Sequence, residues 1–422
     1  MTYQEALDFL YPLHRFGIKP GLGRVLNLLS ILGMPQKHLG QIVHIAGTNG
    51  KGTVAASLAS IFQASGRKTA LYTSPHLVDF TERIRINGVQ IPREKVAHYC
   101  SLLQCAVIAN HSTFFEVTTA IAFAWFADEG VDLSVIETGM GGRLDATNVV
   151  DSDYVVIPCI GFDHTEWLGG TLPLIAAEKA AIIKTGSKVF TAVSEPEVLR
   201  AIQKSALACN APLFLLDKEV TFNITAQEPG MMELDMTTAL RCYPALQAPL
   251  TGSFHATNLS LAVMVAEAAG ISPEHIRTGL NCLSASGYRA RLEVIGSSPT
   301  TFLDVSHNPD GMRATVTTLS LFRHRYNRAF VVLGLASDKD VRAMIRELCR
   351  LNVSVVTVPI PSERSVSAEL LCSLCQQEGV EASTSSNGSE ALASLRVTAG
   401  KHDLILVTGS FYLAGNIIAG AL

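Results

Sequence analysis

The sequence predicts an α/β fold: a P-loop parallel-sheet N-terminal domain with a small antiparallel insertion, then a smaller Rossmann-like α/β C-terminal domain. Three observations predict it. Apolar, β-rich runs of five or six residues alternate with helical patterns, the mark of stacked βαβ units. A glycine-rich segment, residues 47–53, stands between one such run and a helical pattern. After a break near residues 284–298, a second series of the same alternation begins.

In chain order, strands are predicted at 42–46, 69–73, 133–137, 154–158 and 188–192. Short strands and polar turns at 220–243 predict the antiparallel insertion. Residues 258–269 read as a helix striped by Leu259, Leu261, Ala262, Val263, Val265 and Ala266. The second series places strands at 301–304, 329–333, 353–358 and 404–407. Gly287, Gly296, Ser297, Ser298 and Pro299 interrupt the pattern between the two series, so the domains are expected to span 1–288 and 289–422. No solenoid repeat or low-complexity tract is present.

Composition narrows the function. A chain of 422 residues exceeds one core, and a net charge of -4 offers no basic surplus for a nucleic-acid backbone. Small-molecule partners are expected, and no nucleic acid. The 48% hydrophobic content suits parallel strands buried on both faces. The longest apolar run, 120–127, is far shorter than the roughly 20 residues a membrane span needs. Met1-Thr2-Tyr3-Gln4-Glu5 shows neither the basic nor the apolar region of a signal peptide, and nine scattered cysteines read as reduced thiols. A cytoplasmic protein without a membrane partner is expected. Cys372 and Cys375 share one face of an amphipathic helical pattern and read as core packing.

Gly47, Thr48, Asn49, Gly50, Lys51, Gly52 and Thr53 have the chemistry of a phosphate loop. Glycines let successive N–H groups face an anion at a helix N-terminus, Lys51 would reach the β/γ-phosphates, and Thr53 would hold magnesium. Gly52 departs from the strict pattern by separating Lys51 from Thr53. Magnesium on a triphosphate takes a few protein ligands and keeps several waters. Ser74, Glu137 and His164 each follow a predicted parallel strand, on the side where such sheets bind ligands. Taken singly, Ser74 fits a common Ser-Pro turn and His164 a hydrogen-bonded structural histidine, whereas a buried strand-end Glu137 needs a partner or a metal. Lys179, in a strongly apolar helix, reads on its own as a snorkelling lysine or as the partner of Glu178. Asp304, His307 and Asn308 form another acid/His cluster at a strand end, with an Asn-Pro helix start as the bland alternative.

Together these stretches resemble the folylpolyglutamate synthase and dihydrofolate synthase family of the Mur-ligase-like superfamily. The likeness runs through 16–22, 47–53, 74–83, 115–116, 137–148, 163–169, 178–180, 304–309, 338–340 and 409–413. The resemblance implies ATP-dependent ligation of L-glutamate to dihydropteroate and to folate (poly)glutamates through an acyl phosphate, with a bifunctional enzyme expected over one confined to chain extension. It implies ATP on Thr48, Asn49, Gly50 and Lys51, and Mg2+ on Ser74, Glu137 and His164. Lys179 would be the family's carbamylated lysine, and a monovalent cation belongs to the same expectation. Lys51, Lys179, Glu137 and His164 would be the catalytic set. Asn258, Arg291 and Asp304 would contact ATP, with His307 nearby. Lys19, Pro20, Gly21, Leu22, Thr113, Phe114, Phe115, Glu116, Leu144, Asp145 and Ala146 would face the pteroate or folate. Two departures stand out: Arg289-Ala290 replaces the usual Pro-Gly before Arg291, leaving Arg289 as an alternative ATP contact, and Phe254-His255 replaces the usual His-Gln. A cell-wall Mur ligase would usually carry a further domain before the loop, where this chain has 46 residues. A monomer is expected.

Overall fold

The computed structural model describes residues 1–17 and 20–420, apart from the side chains of residues 15 and 16. The first sheet holds eight strands: β1 (Gln41–Ile45), β2 (Thr69–Tyr72), β3 (Ile84–Ile86), β4 (Val89–Gln90), β5 (Leu133–Glu137), β6 (Tyr154–Ile157), β7 (Lys188–Thr191) and β8 (Leu213–Leu215). Their spatial order is β4-β3-β2-β5-β1-β6-β7-β8. From β2 to β8 all pairings are parallel, and β3 and β4 add an antiparallel edge. The helix Lys51–Ala64 leaves β1, and with the helix Phe254–Ala268 it covers one face through Val54, Leu58, Phe62, Leu259 and Val263. The N-terminal helices and the helix Phe114–Asp128 cover the other. This two-sided burial is why the central strands read as unbroken apolar runs.

Three antiparallel strands, β9 (Val220–Glu228), β10 (Met231–Thr238) and β11 (Cys242–Ala248), form the insertion, which runs five residues past the expected limit at 243. The following helix begins at Phe254, four residues before its expected start, because Gly252 and Ser253 rather than the apolar stripe set its first turn. The last sheet has the order β12-β13-β17-β14-β15-β16, from β12 (Glu293–Ser297), β13 (Thr300–Leu303), β14 (Ala329–Leu333), β15 (Ser354–Thr357), β16 (Glu381–Thr384) and β17 (Leu404–Thr408). Only β12 runs antiparallel to its neighbour. The sequence pattern missed the short strands β3, β4 and β8 at the edges of the first sheet and β12 and β16 of this one. β12 lies in the glycine- and serine-rich break, and β16, Glu-Ala-Ser-Thr, is largely exposed at a sheet edge. Cys372 and Cys375 pack in the core of the helix Ala368–Gln377, as expected. Among the described residues, no helix is long and apolar enough to cross a membrane.

Candidate active site

β1 delivers Gly47, and Gly50 turns the chain into the helix Lys51–Ala64 with φ +85°. A Cβ at Gly50 would come 2.4 Å from Asn258 Oδ1, so only glycine fits both the dihedral and the space. The loop is pinned to the segment after β6. Thr48 N–H donates to the Cys159 carbonyl at 3.0 Å, and Thr48 Oγ1 both accepts from Gly161 N–H and donates to its carbonyl. Asn49 N–H donates to Cys159 Sγ, and the thiol donates back to the Asn49 carbonyl, each at 3.3 Å. Lys51 Nζ donates to the carbonyls of Gly47 (3.0 Å) and Thr48 (3.2 Å).

Lys179 comes from the helix Leu172–Ala180 and donates to the same Gly47 carbonyl at 2.9 Å. It neither snorkels nor pairs with Glu178. The residue is 5% exposed, and Glu178 binds Arg143 at 2.9 Å instead. Burial, reinforced by the Lys51 charge, brings the Lys179 pKa down to about 7.

Glu137 ends β5 opposite Ile45 of β1, directly beside the loop. Among the described residues its hydrogen bond is a long one, 3.4 Å from Ser74 N–H, although the carboxylate is buried. Burial raises its pKa, while Lys51, Arg291 and Arg83 pull it down. A buried carboxylate with so little satisfaction, next to a serine and a phosphate-type loop, fits a magnesium ligand. His164 holds a left-handed conformation, φ +51°, at the start of the short helix Thr165–Leu168, with Nε2 3.8 Å from Asp163. Among the described residues, no three His, Cys, Asp or Glu side chains gather into a ready metal cage. Magnesium here would therefore depend on the Ser74 hydroxyl, nucleotide oxygens and water. Thr53, the other expected magnesium residue, shares a 2.6 Å hydrogen bond with the Tyr288 hydroxyl.

The C-terminal domain supplies the opposite wall. Arg291 lies over the Phe411 ring at 4.9 Å and lines an open cleft of about 570 Å³ with Gly52, Ser74, Glu137 and Tyr288. Arg289 reaches the same cleft but is held by Glu293 at 2.6 Å. Asp304 is almost fully buried. It accepts from Leu292 N–H, Ser306 N–H, Thr315 Oγ1 and Thr408 Oγ1, so its carboxylate braces its own domain. His307 binds the Val305 carbonyl through Nδ1 and leaves Nε2 4.0 Å from Asp163; burial takes its pKa down to about 4. Lys339 Nζ meets Asp163 at 3.0 Å. Burial alone would raise the Asp163 pKa, but His164, Lys339 and His307 hold it near 2.

On the expected folate side, Lys19 lies outside the described residues. Pro20 and Gly21 precede Leu22, which packs on the N-terminal core. Thr113 and Glu116 form a reciprocal cap at the start of the helix Phe114–Asp128, and Glu116 also binds Arg24 at 2.9 Å. The far end of the Phe115 ring packs on Gly139, where a Cβ would come 2.5 Å from Cζ. Asp145 shapes its own turn by accepting from Met140 N–H and Thr147 N–H, with Leu144 and Ala146 alongside. Phe114 sits in an aromatic group the sequence did not reveal. It stacks on His14 at 4.0 Å and on Tyr11 at 6.1 Å, meets Phe80 edge-on, and carries the Arg83 guanidinium 5.1 Å from its centroid. Arg83 is buried and donates to His76 Nδ1 at 2.7 Å. Phe114 is itself an expected acceptor-side residue, and His76, Phe80 and Arg83 lie inside the 74–83 stretch, whereas Tyr11 and His14 carry no sequence signal.

Comparison with known proteins agrees with this arrangement. Residues 45–266 match the Mur ligase middle domain, and residues 290–411 match the Mur ligase glutamate ligase domain. The chain is 34% identical, over 99% of its length and 98% of the relative's, to the Bacillus subtilis dihydrofolate synthase/folylpolyglutamate synthase. It is 30% identical over 98% of its length to the Escherichia coli protein of the same name, covering 94% of that relative. The structure of E. coli FolC in complex with DHPP and ADP superposes with a TM-score of 0.89 at 30% identity, covering 100% of this chain and 98% of that one. Mycobacterium tuberculosis folylpolyglutamate synthase complexed with ADP gives 0.87 at 30% identity, with 98% of each chain covered. The chain belongs to the dihydrofolate synthase/folylpolyglutamate synthase family of ATP-dependent Mur-type ligases.

Proposed function

We propose that this ligase joins L-glutamate both to dihydropteroate and to folate (poly)glutamates at the expense of ATP. The observation that carries the reading is the meeting of Lys51 and Lys179 on one loop carbonyl, beside the buried Glu137 and facing Arg291. The triphosphate would lie along Gly47–Thr53. Lys51 and Arg291 offset charge on the phosphoryl group as it moves to the substrate carboxylate, and the amine of glutamate then displaces phosphate from the acyl phosphate. No side-chain nucleophile is needed, and the two-domain cleft would keep water from an intermediate that hydrolyses readily.

Glu137 and Ser74, with His164 from the neighbouring strand end, are the residues that would hold magnesium. Bound there, the ion would neutralise phosphate charge and orient the transferred group. A Lys179 pKa near 7 leaves much of the amine neutral at physiological pH, so its Nζ can add to CO2, lose a proton and become a carbamate. That change turns a cation beside the loop into an anion able to support the metal. The working units would be residues 1–288 and 289–422, in a monomeric, cytoplasmic enzyme.

Purified protein with ATP, Mg2+ and labelled glutamate, offered dihydropteroate and tetrahydrofolate separately, tests the proposal. Product from both acceptors is expected. Product from tetrahydrofolate alone overturns bifunctionality, and none from either overturns the assignment.

A further inference from the structure

The phosphate loop is held partly by the opposite domain. Asn308 caps the helix Pro309–Phe322 by accepting from Gly311 N–H at 2.8 Å. The same side chain forms a reciprocal amide pair with Asn49: Asn308 Nδ2 donates to Asn49 Oδ1 at 3.1 Å, and Asn49 Nδ2 donates to Asn308 Oδ1 at 3.3 Å. Asn308 is 3% exposed and Asn49 is half-buried, so the pair is partly withdrawn from competing water. The Asn49 backbone is already tied to Cys159. Asn308 therefore fixes the remaining freedom of the residue at the centre of the loop. The helix start also presses on the segment that anchors Thr48, since a Cβ at Gly161 would come 2.8 Å from Asp310 Oδ2.

We propose that Asn308 is a positioning residue for ATP: through its amide pair with Asn49, the C-terminal domain sets the geometry of the phosphate loop, so the loop is fully formed only when that domain is seated on it. The inference rests on the reading of Gly47–Thr53 as the ATP loop.

Asn308→Ser separates the two duties of the side chain, because serine caps a helix about as well as asparagine but is too short to reach Asn49. Asn49→Ser breaks the same pair from the loop side without touching the cap. ADP affinity by calorimetry, together with KM for ATP and kcat, would be measured for wild type, each single variant and the double variant. Losing two neutral hydrogen bonds should weaken ADP binding and raise KM for ATP by about tenfold in N308S, with the melting temperature lowered by no more than a few degrees because the helix cap is kept. In the N49S background, N308S should add almost nothing. N308S with wild-type ADP affinity and KM, or with its full effect retained in N49S, overturns the proposal. Wild type that binds no ADP overturns the loop reading and the proposal with it.

Discussion

Lys51 and Lys179 donate to a single acceptor, the Gly47 carbonyl, at 3.0 and 2.9 Å. Two ammonium groups this close in a buried site raise each other's cost, and Lys179, the more deeply buried, bears it. A phosphate, a carbamate or both would relieve the crowding.

The Lys179 pKa gives a pH prediction with a definite sign. Its folded value, about 7, lies below the ordinary lysine value of 10.5, so between these limits the unfolded chain binds more protons and stability rises with pH. Lys179→Met should flatten that part of the stability curve, as measured by denaturant midpoints from pH 6.5 to 10. Activity should fall below pH 7 as the amine protonates, and added bicarbonate should restore it in wild type only. Lys179→Ala should lower kcat by about a hundredfold. Near-normal turnover of that variant would remove the lysine from the mechanism.

Glu137→Gln keeps the shape of the side chain and removes its charge. Turnover should then require much more Mg2+, with saturating metal recovering only part of kcat, read from magnesium titrations at fixed ATP. Because the buried carboxylate is poorly satisfied, its neutralisation should leave the melting temperature unchanged or raise it.

The two central glycines of the loop should differ sharply. Gly50→Ala places a Cβ on Asn258 and forces alanine into a left-handed conformation worth about 1–2 kcal/mol, so both stability and ATP affinity should drop. Gly52→Ala meets nothing closer than 3.9 Å, at Glu137 Oε2, and should fold like wild type. Thermal melts and KM for ATP distinguish the pair.

Phe114→Leu and Arg83→Ala should raise KM for the pteroate or folate acceptor about tenfold while KM for ATP stays near wild type, because the aromatic group around Phe114 is built without phosphate-loop residues. Equal changes in both KM values would argue against an acceptor-side role.

Much of this was legible in the sequence, and the gaps have physical causes. The phosphate loop and Glu137 could be placed because the chemistry sits at junctions of local pattern, strand to glycine to helix. Lys179 could not be settled locally, since an apolar helix accommodates a snorkelling lysine as readily as an inward-facing one. Tyr11 and His14 reach Phe114 from one short 3-10 helix and Phe80 and Arg83 from another, two elements without a shared period. The Asn49–Asn308 pair spans 259 residues, and no spacing rule connects them. The four hydrogen bonds that the Asp304 carboxylate accepts join segments far apart in the chain, so only the folded domain reveals them.

The connector between the two matched domains also lines the candidate cleft. Tyr288, Arg289 and Arg291 line the cleft described above and a second, larger one of about 710 Å³, while Ala290 and Leu292 hold left-handed angles of +58° and +50°. Leu292 N–H is bonded to Asp304 and Ala290 N–H to Glu293. This connector is therefore no spacer. Ordinary linkers absorb extra residues with little effect, but one added residue here would shift Arg291 along the cleft and break the register of β12.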